Sequence, residues 1–247
     1  MKPTASFLSV ASVISLLPTA KALAGSSWTV TNVPSTGLTD VTFPLTIVKA
    51  DHISGYYFAQ QFGFVNSVDV GYTGLQPRPD QNRKPVLHGV FSSFVAGSTA
   101  TDSNCAAGAD GGPAVSCSVE WNAVYGRTYD LEVKRNGSLL WVGTAIDTVT
   151  GARIHLGSYT LPAGAGGIQS SQSGYPWNGG EPPNHCARLP YQETLFGHPH
   201  TTHLRSVGTQ SLAYEYGDCV GQIAFKTEKL FVGGVENNCG FKGQTGL

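Results

Sequence analysis

Tyr129-Asp-Leu-Glu-Val-Lys-Arg-Asn-Gly-Ser-Leu-Leu-Trp-Val-Gly-Thr-Ala-Ile-Asp147 decides the fold class. Leu131 and Val133 alternate with Asp130, Glu132 and Lys134, the period of two that lays one apolar face of a strand on a core. Asn136-Gly137 then turns the chain, because both residues tolerate the positive φ that a two-residue hairpin demands. Runs rich in Val, Ile, Thr, Tyr and Phe recur on either side: Val41–Lys49, Tyr56–Val65, Val68–Gln76, Val86–Val95, Ser118–Trp121, Thr128–Lys134, Leu139–Asp147 and Ile154–Leu161. Gly, Pro, Asn and Asp separate them, and no window of about 12 residues carries a capped 3.6-residue apolar period. The expectation is an all-β, two-sheet antiparallel jelly-roll sandwich with long disulfide-pinned loops. One of these loops is expected over 174–203, where prolines interrupt the pattern.

The 247 residues are 40% hydrophobic and only 13% charged, enough apolar content for a core. The 15 Lys+Arg and 16 Asp+Glu nearly cancel without a basic stripe, which argues against nucleic acid as a partner. Residues 1–24 read as a signal peptide: Met1-Lys2, an uncharged apolar run over Phe7–Leu17, then Ala22-Leu23-Ala24 as the small-x-small cleavage pattern. The run is too short to span a bilayer. Cleavage leaves 25–247 as a β-sandwich domain that is secreted, extracellular and monomeric, with 13 cationic against 16 acidic side chains.

Five cysteines lie beyond that leader, and an oxidising destination favours pairing them. A local bridge between Cys105 and Cys117 is the simplest expectation, with Cys186 to Cys219 as the second and Cys239 left over. Spacing alone leaves the pairing among the last three open. Asn136-Gly137-Ser138 is an N-glycosylation sequon at a hairpin tip, so Asn136 is a candidate glycan acceptor.

The stretches Tyr56-Tyr-Phe-Ala-Gln-Gln-Phe-Gly-Phe64, Gly71-Tyr-Thr-Gly-Leu-Gln76, Val90-Phe-Ser-Ser-Phe94, Cys105…Gly111-Gly112…Cys117 and Trp121-x-x-x-x-Gly-x-x-Tyr129 follow one another in an ordered series. Over about residues 50–160 this series resembles a family of secreted fungal and bacterial proteins known as a domain of unknown function. The resemblance implies a concanavalin-like jelly roll and no particular activity. Where such proteins often carry Trp after the Phe-Ser pair, this chain has Phe94.

Alternation in Tyr56–Val65 puts Tyr56, Phe58, Gln60, Phe62 and Phe64 on a core face and Tyr57 and Gln61 on the other, and Tyr72 and Gln76 repeat that spacing in the next strand. Rings that stack on a pyranose, with amides that bond its hydroxyls, hold neutral sugar without charge. Tyr57, Gln61, Tyr72 and Gln76 are therefore candidate ligand-binding residues, with Trp177 in the proline-rich stretch as a second stacking candidate. The plainer alternative is that these glutamines satisfy one another. The expected role is binding of a cell-wall or surface glycan.

The alternatives are a polysaccharide-cleaving glycoside hydrolase or lyase on the same scaffold, and an effector-like protein acting on a host or competitor protein. Cleavage by hydrolysis needs two carboxyl groups at set spacing. The nearest pair, Asp130 and Glu132, more simply forms the polar outside of its strand. No Gly-x-Ser-x-Gly elbow is present. His198, His200 and His203 have a spacing able to offer three nitrogens to a divalent metal, the one cofactor the sequence suggests. His88 and His155, inside strands, read as structural.

Overall fold

The computed structural model describes residues 22–108, 114–179 and 186–243. In chain order the strands are β1 (Ala22–Val30), β2 (Asp40–Lys49), β3 (Tyr56–Gly63), β4 (Val70–Gln81), β5 (Lys84–Ser93), β6 (Cys105–Ala107), β7 (Val115–Asn122) and β8 (Thr128–Arg135). They continue with β9 (Leu140–Asp147), β10 (Arg153–Thr160), β11 (Ser171–Gly179), β12 (Gln192–Phe196), β13 (Gly208–Gln210), β14 (Tyr214–Gly217), β15 (Lys226–Lys229) and β16 (Val235–Cys239). A single turn of 3₁₀ helix over Cys186–Arg188 is the helix among the described residues. The expected leader lies outside the described residues except for Ala22–Ala24, which open β1.

All eight runs read from the sequence are strands. Two antiparallel sheets result. The larger runs β13-β1-β11-β3-β4-β5-β7-β6, with β14 also on β1, and the smaller runs β10-β9-β8-β2-β12-β16-β15. Alternation sends one face of each sheet inward, and aromatic rings carry the contact between the two. Trp28 meets Phe43 at 5.1 Å, Phe43 meets Phe62 at 6.4 Å, and Phe91 stacks on Tyr159 at 4.5 Å. Trp141 packs on Phe64 at 5.2 Å. All of these rings are fully buried, each pair adding about 0.5–1.5 kcal/mol beyond its burial.

Both expected disulfides are present, Cys105–Cys117 and Cys186–Cys219, and Cys239 is a buried free thiol. Cys105 and Cys117 face each other across β6 and β7. The bridge packs against Gly157 in β10, where an added Cβ would stand 2.4 Å from Cys117 Cβ.

Two local expectations change. The β8–β9 hairpin is wider than a two-residue turn: Arg135 pairs with Trp141, Asn136 N donates to Leu140 O at 2.8 Å, and only Gly137 takes positive φ. Asn136 remains exposed at the tip, as a glycan acceptor requires. The stretch 174–203 is not simply loop. It supplies most of β11, which joins β1 to β3, and all of β12, which joins β2 to β16.

Candidate functional site

The outward face of the larger sheet is built from three rows of side chains crossing the strands. Gln61 of β3 pairs with Tyr72 of β4, Tyr72 with Ser92 of β5, and Ser92 with Ser116 of β7. The middle row is small: Ala59, Gly74, Val90 and Ser118, continued onto β11 by Tyr175. The third row sets Gln76 beside His88 and His88 beside Glu120. Low residues flanked by tall ones make a trough across the sheet. Its volume is about 590 Å³, and it is lined by Tyr57, Tyr72, Tyr175, Phe94, Gln76, His88, Val90 and the serines, with Asp69 at one end.

Gly74 is required for this shape. A Cβ there would stand 2.2 Å from Phe58 O and 2.7 Å from the ring of Tyr57, so the phenol of Tyr57 lies over bare backbone.

Gln61 organises one wall. Its Oε1 accepts from the hydroxyls of Tyr72 and Tyr175, the latter at 3.1 Å, while its Nε2 donates to Gln172 Oε1 at 2.7 Å. The rings of Tyr72 and Tyr175 stand 5.8 Å apart, and Phe94 meets Tyr72 edge-on at 5.4 Å. Two strands far apart in sequence thus fix two phenols side by side. Gln61 acts mainly as the post that aims these rings, rather than as a free amide.

Charge at the other wall is internally matched. Arg78 donates to Glu120 Oε1 at 3.2 Å and to Gln76 Oε1 at 2.6 Å, and Gln81 Nε2 donates to Glu120 Oε2 at 2.9 Å. His88 Nδ1 lies 3.3 Å from Glu120 Oε1. Burial, with Arg78 nearby, lowers the His88 pKa below the ordinary imidazole range against the opposing pull of Glu120. His88 is therefore a neutral donor-acceptor at neutral pH. The trough presents rings, amides, hydroxyls and one neutral imidazole, with its formal charges paired at the rim or set at one end.

The structure brings Tyr57, Tyr72 and Gln76 together in the trough and places Gln61 behind two of its rings. It adds Tyr175, which the sequence left in a loop, and His88, which the sequence read as structural. Alternation in β5 puts His88 on the same face as Val90 and Ser92, and that was the available signal. Trp177 belongs to β11 by its backbone, and its side chain lies outside the described residues.

Asp130 and Glu132 share an outward face of β8 but belong to the smaller sheet, away from the trough. Glu132 is held by Arg153 at 2.5 Å. Burial, opposed by His200 and assisted by Glu132, raises the Asp130 pKa. The pair serves as a polar strand exterior.

The three histidines proposed as metal ligands are not gathered. Gly233 lies against His198, the His200 backbone pairs with Thr42, and His203 Nδ1 meets Ser206 Oγ at 3.1 Å. Among the described residues no group of three His, Cys, Asp or Glu side chains is placed to hold a metal ion. The physical reason is the anchoring of the segment along its backbone to Thr42 and Asp40, which spaces the three residues out instead of folding them round one point.

No family model matches the chain. No curated protein matches it either. Among solved structures, a scytalido-glutamic peptidase determined with a transition state analog inhibitor is similar at 9% identity and a TM-score of 0.44, covering 89% of this chain and 98% of its own. No helix among the described residues is long and apolar enough to cross a membrane.

Proposed function

We propose that this protein is exported and binds a neutral glycan of a cell wall or cell surface in the trough across the larger sheet. The observation that carries the reading is the set Tyr57, Tyr72 and Tyr175 around a small-residue floor, with Gln76, His88 and serine hydroxyls along the walls and no uncompensated charge at its centre. Apolar sugar faces stack on phenol rings, and sugar hydroxyls exchange hydrogen bonds with amide, imidazole and hydroxyl groups. Four strands from β3 to β7 span about 14 Å at roughly 4.8 Å per step, room for a short run of sugar rings.

The test is to mix the protein with a panel of insoluble and soluble polysaccharides and to measure both its depletion from solution and any release of reducing or unsaturated ends. Retention without product is the expected result. Release of product, lost on His88→Ala, supports the cleaving alternative, in which the neutral His88 held by Glu120 acts as the base. Failure of every glycan to retain the protein leaves a protein target as the reading to pursue.

A further inference from the structure

At the end of the sandwich where β12 finishes, two anchored tips hold apolar side chains in solvent. The turn between β15 and β16 carries Phe231 and Val232, which are 106% and 89% exposed. It is closed by Leu230 N to Gly234 O at 3.0 Å and Gly233 N to Leu230 O at 3.1 Å, with both glycines at positive φ. The second tip carries Leu204 and Val207, 81% and 60% exposed. It is fastened by Asn32 Nδ2 to Leu204 O at 2.9 Å, by Thr31 N to Val207 O at 3.0 Å, and by the hold of Asp40 on Thr202.

The tips are neighbours. His198 lies against Gly233, and Pro199, the next residue, lies against Gly208 beside Val207. Exposing a phenylalanine and a leucine on fixed turns leaves apolar area in water that flexible loops could fold away. Lys229 adjoins the first tip and Arg205 lies within the second, both exposed. Of the two acids at the base of the first tip, Glu228 is paired with Lys226 at 2.9 Å and Glu236 accepts from Asn238 Nδ2 at 2.9 Å, and 198–207 contains none. A few protruding apolar side chains with flanking cations suit a soft anionic interface better than a flat protein partner.

We propose that this end of the molecule is a peripheral membrane-docking surface, in which Phe231, Val232 and Leu204 enter the headgroup boundary of an anionic phospholipid leaflet while Lys229 and Arg205 face its headgroups. Penetration is shallow, since turn backbone tolerates the headgroup boundary but not the hydrocarbon. The surface is separate from the sheet face that carries the trough, so it does not depend on the glycan reading.

The test is co-sedimentation of the full chain with vesicles of phosphatidylcholine alone and with added phosphatidylserine, beside sedimentation velocity of the protein by itself. Binding is expected to require phosphatidylserine and to weaken with added salt. Phe231→Ser with Val232→Ser is expected to reduce it roughly tenfold or more, and Lys229→Ala with Arg205→Ala by a roughly similar factor. All four side chains are exposed, and an unchanged melting temperature confirms folding. Absence of binding to both vesicles overturns the proposal, as does binding that survives the apolar variant. Self-association abolished by Phe231→Ser would assign the surface to a second copy instead and also overturn it.

Discussion

Replacing Gln61 by leucine separates the post from the rings it aims. In the native trough one amide oxygen accepts from two tyrosine hydroxyls, and the amide nitrogen donates to Gln172. Each hydrogen bond contributes about 1 kcal/mol net, but the trough is open and water can replace part of the loss. The leucine also buries against the phenols. The expected destabilisation is therefore about 1–2 kcal/mol, a fall in melting temperature of roughly 2–8 °C for a chain of this size.

The effect on ligand is larger in proportion, because Tyr72 and Tyr175 lose their common acceptor and with it their fixed spacing. Affinity for a retained oligosaccharide, measured by calorimetric titration, is expected to fall roughly tenfold, about 1.4 kcal/mol. Gln61→Glu keeps the acceptor for both hydroxyls and can accept from Gln172 once that amide turns over, so its affinity is expected to stay within a few-fold of native. Undiminished binding by a folded Gln61→Leu protein would refute the role given to this side chain.

Other outcomes follow from the rest of the molecule. Asp102 is lifted in pKa by burial but held lower overall by the Asn104 amide and by His155 and Ser158. Its contribution is therefore present above the ordinary carboxylate pKa and lost as pH falls through the lower folded value, so Asp102→Asn should flatten the decline of denaturant stability below about pH 4. Asp147 is 7% exposed and receives Val149 N at 2.9 Å, Thr150 N at 3.2 Å and Arg127 at 2.8 Å. Urea unfolding of Asp147→Ala should show a loss of about 2 kcal/mol or more, with a value near zero counting against these bonds. Gly157→Ala forces a methyl onto the Cys105–Cys117 bridge and should lower the melting temperature more when the bridge is intact than when both cysteines are serine. Cys239 is 2% exposed, and burial, with Glu215 nearby, pushes its thiol far above the usual range. It should resist a thiol reagent at neutral pH until the protein unfolds.

The strands from β2 to β10 were legible, apart from the three-residue β6, because apolar and polar residues alternate within them and turn residues bound them. β11 and β12 were not. Ser171-Gln-Ser-Gly-Tyr-Pro-Trp-Asn-Gly179 has few apolar residues and a proline, and it is a strand because its backbone bonds to β1 and β3 on both sides. β12 turns Gln192 and Thr194 inward with Phe196, so its buried face has no continuous apolar signal.

The same distinction divides the site. Tyr57, Gln61, Tyr72 and Gln76 lie on one hairpin, where period and proximity can be read together. Tyr175 reaches Gln61 across 114 positions, and His88 enters the trough through the register of β4 with β5. Register between distant strands is set by tertiary pairing, which one sequence does not display. The histidine tract shows the converse: its spacing suited a metal, but the anchored backbone does not gather the three side chains round one point.

Residue-resolved NMR during titration with an oligosaccharide from a retained glycan tests the central claim most directly. Saturable shifts are predicted at Tyr57, Tyr72, Gln76, His88, Ser92 and Tyr175, with Asp130 and Glu132 on the other sheet unmoved. Saturable shifts confined to any other surface, with these residues silent, would contradict it.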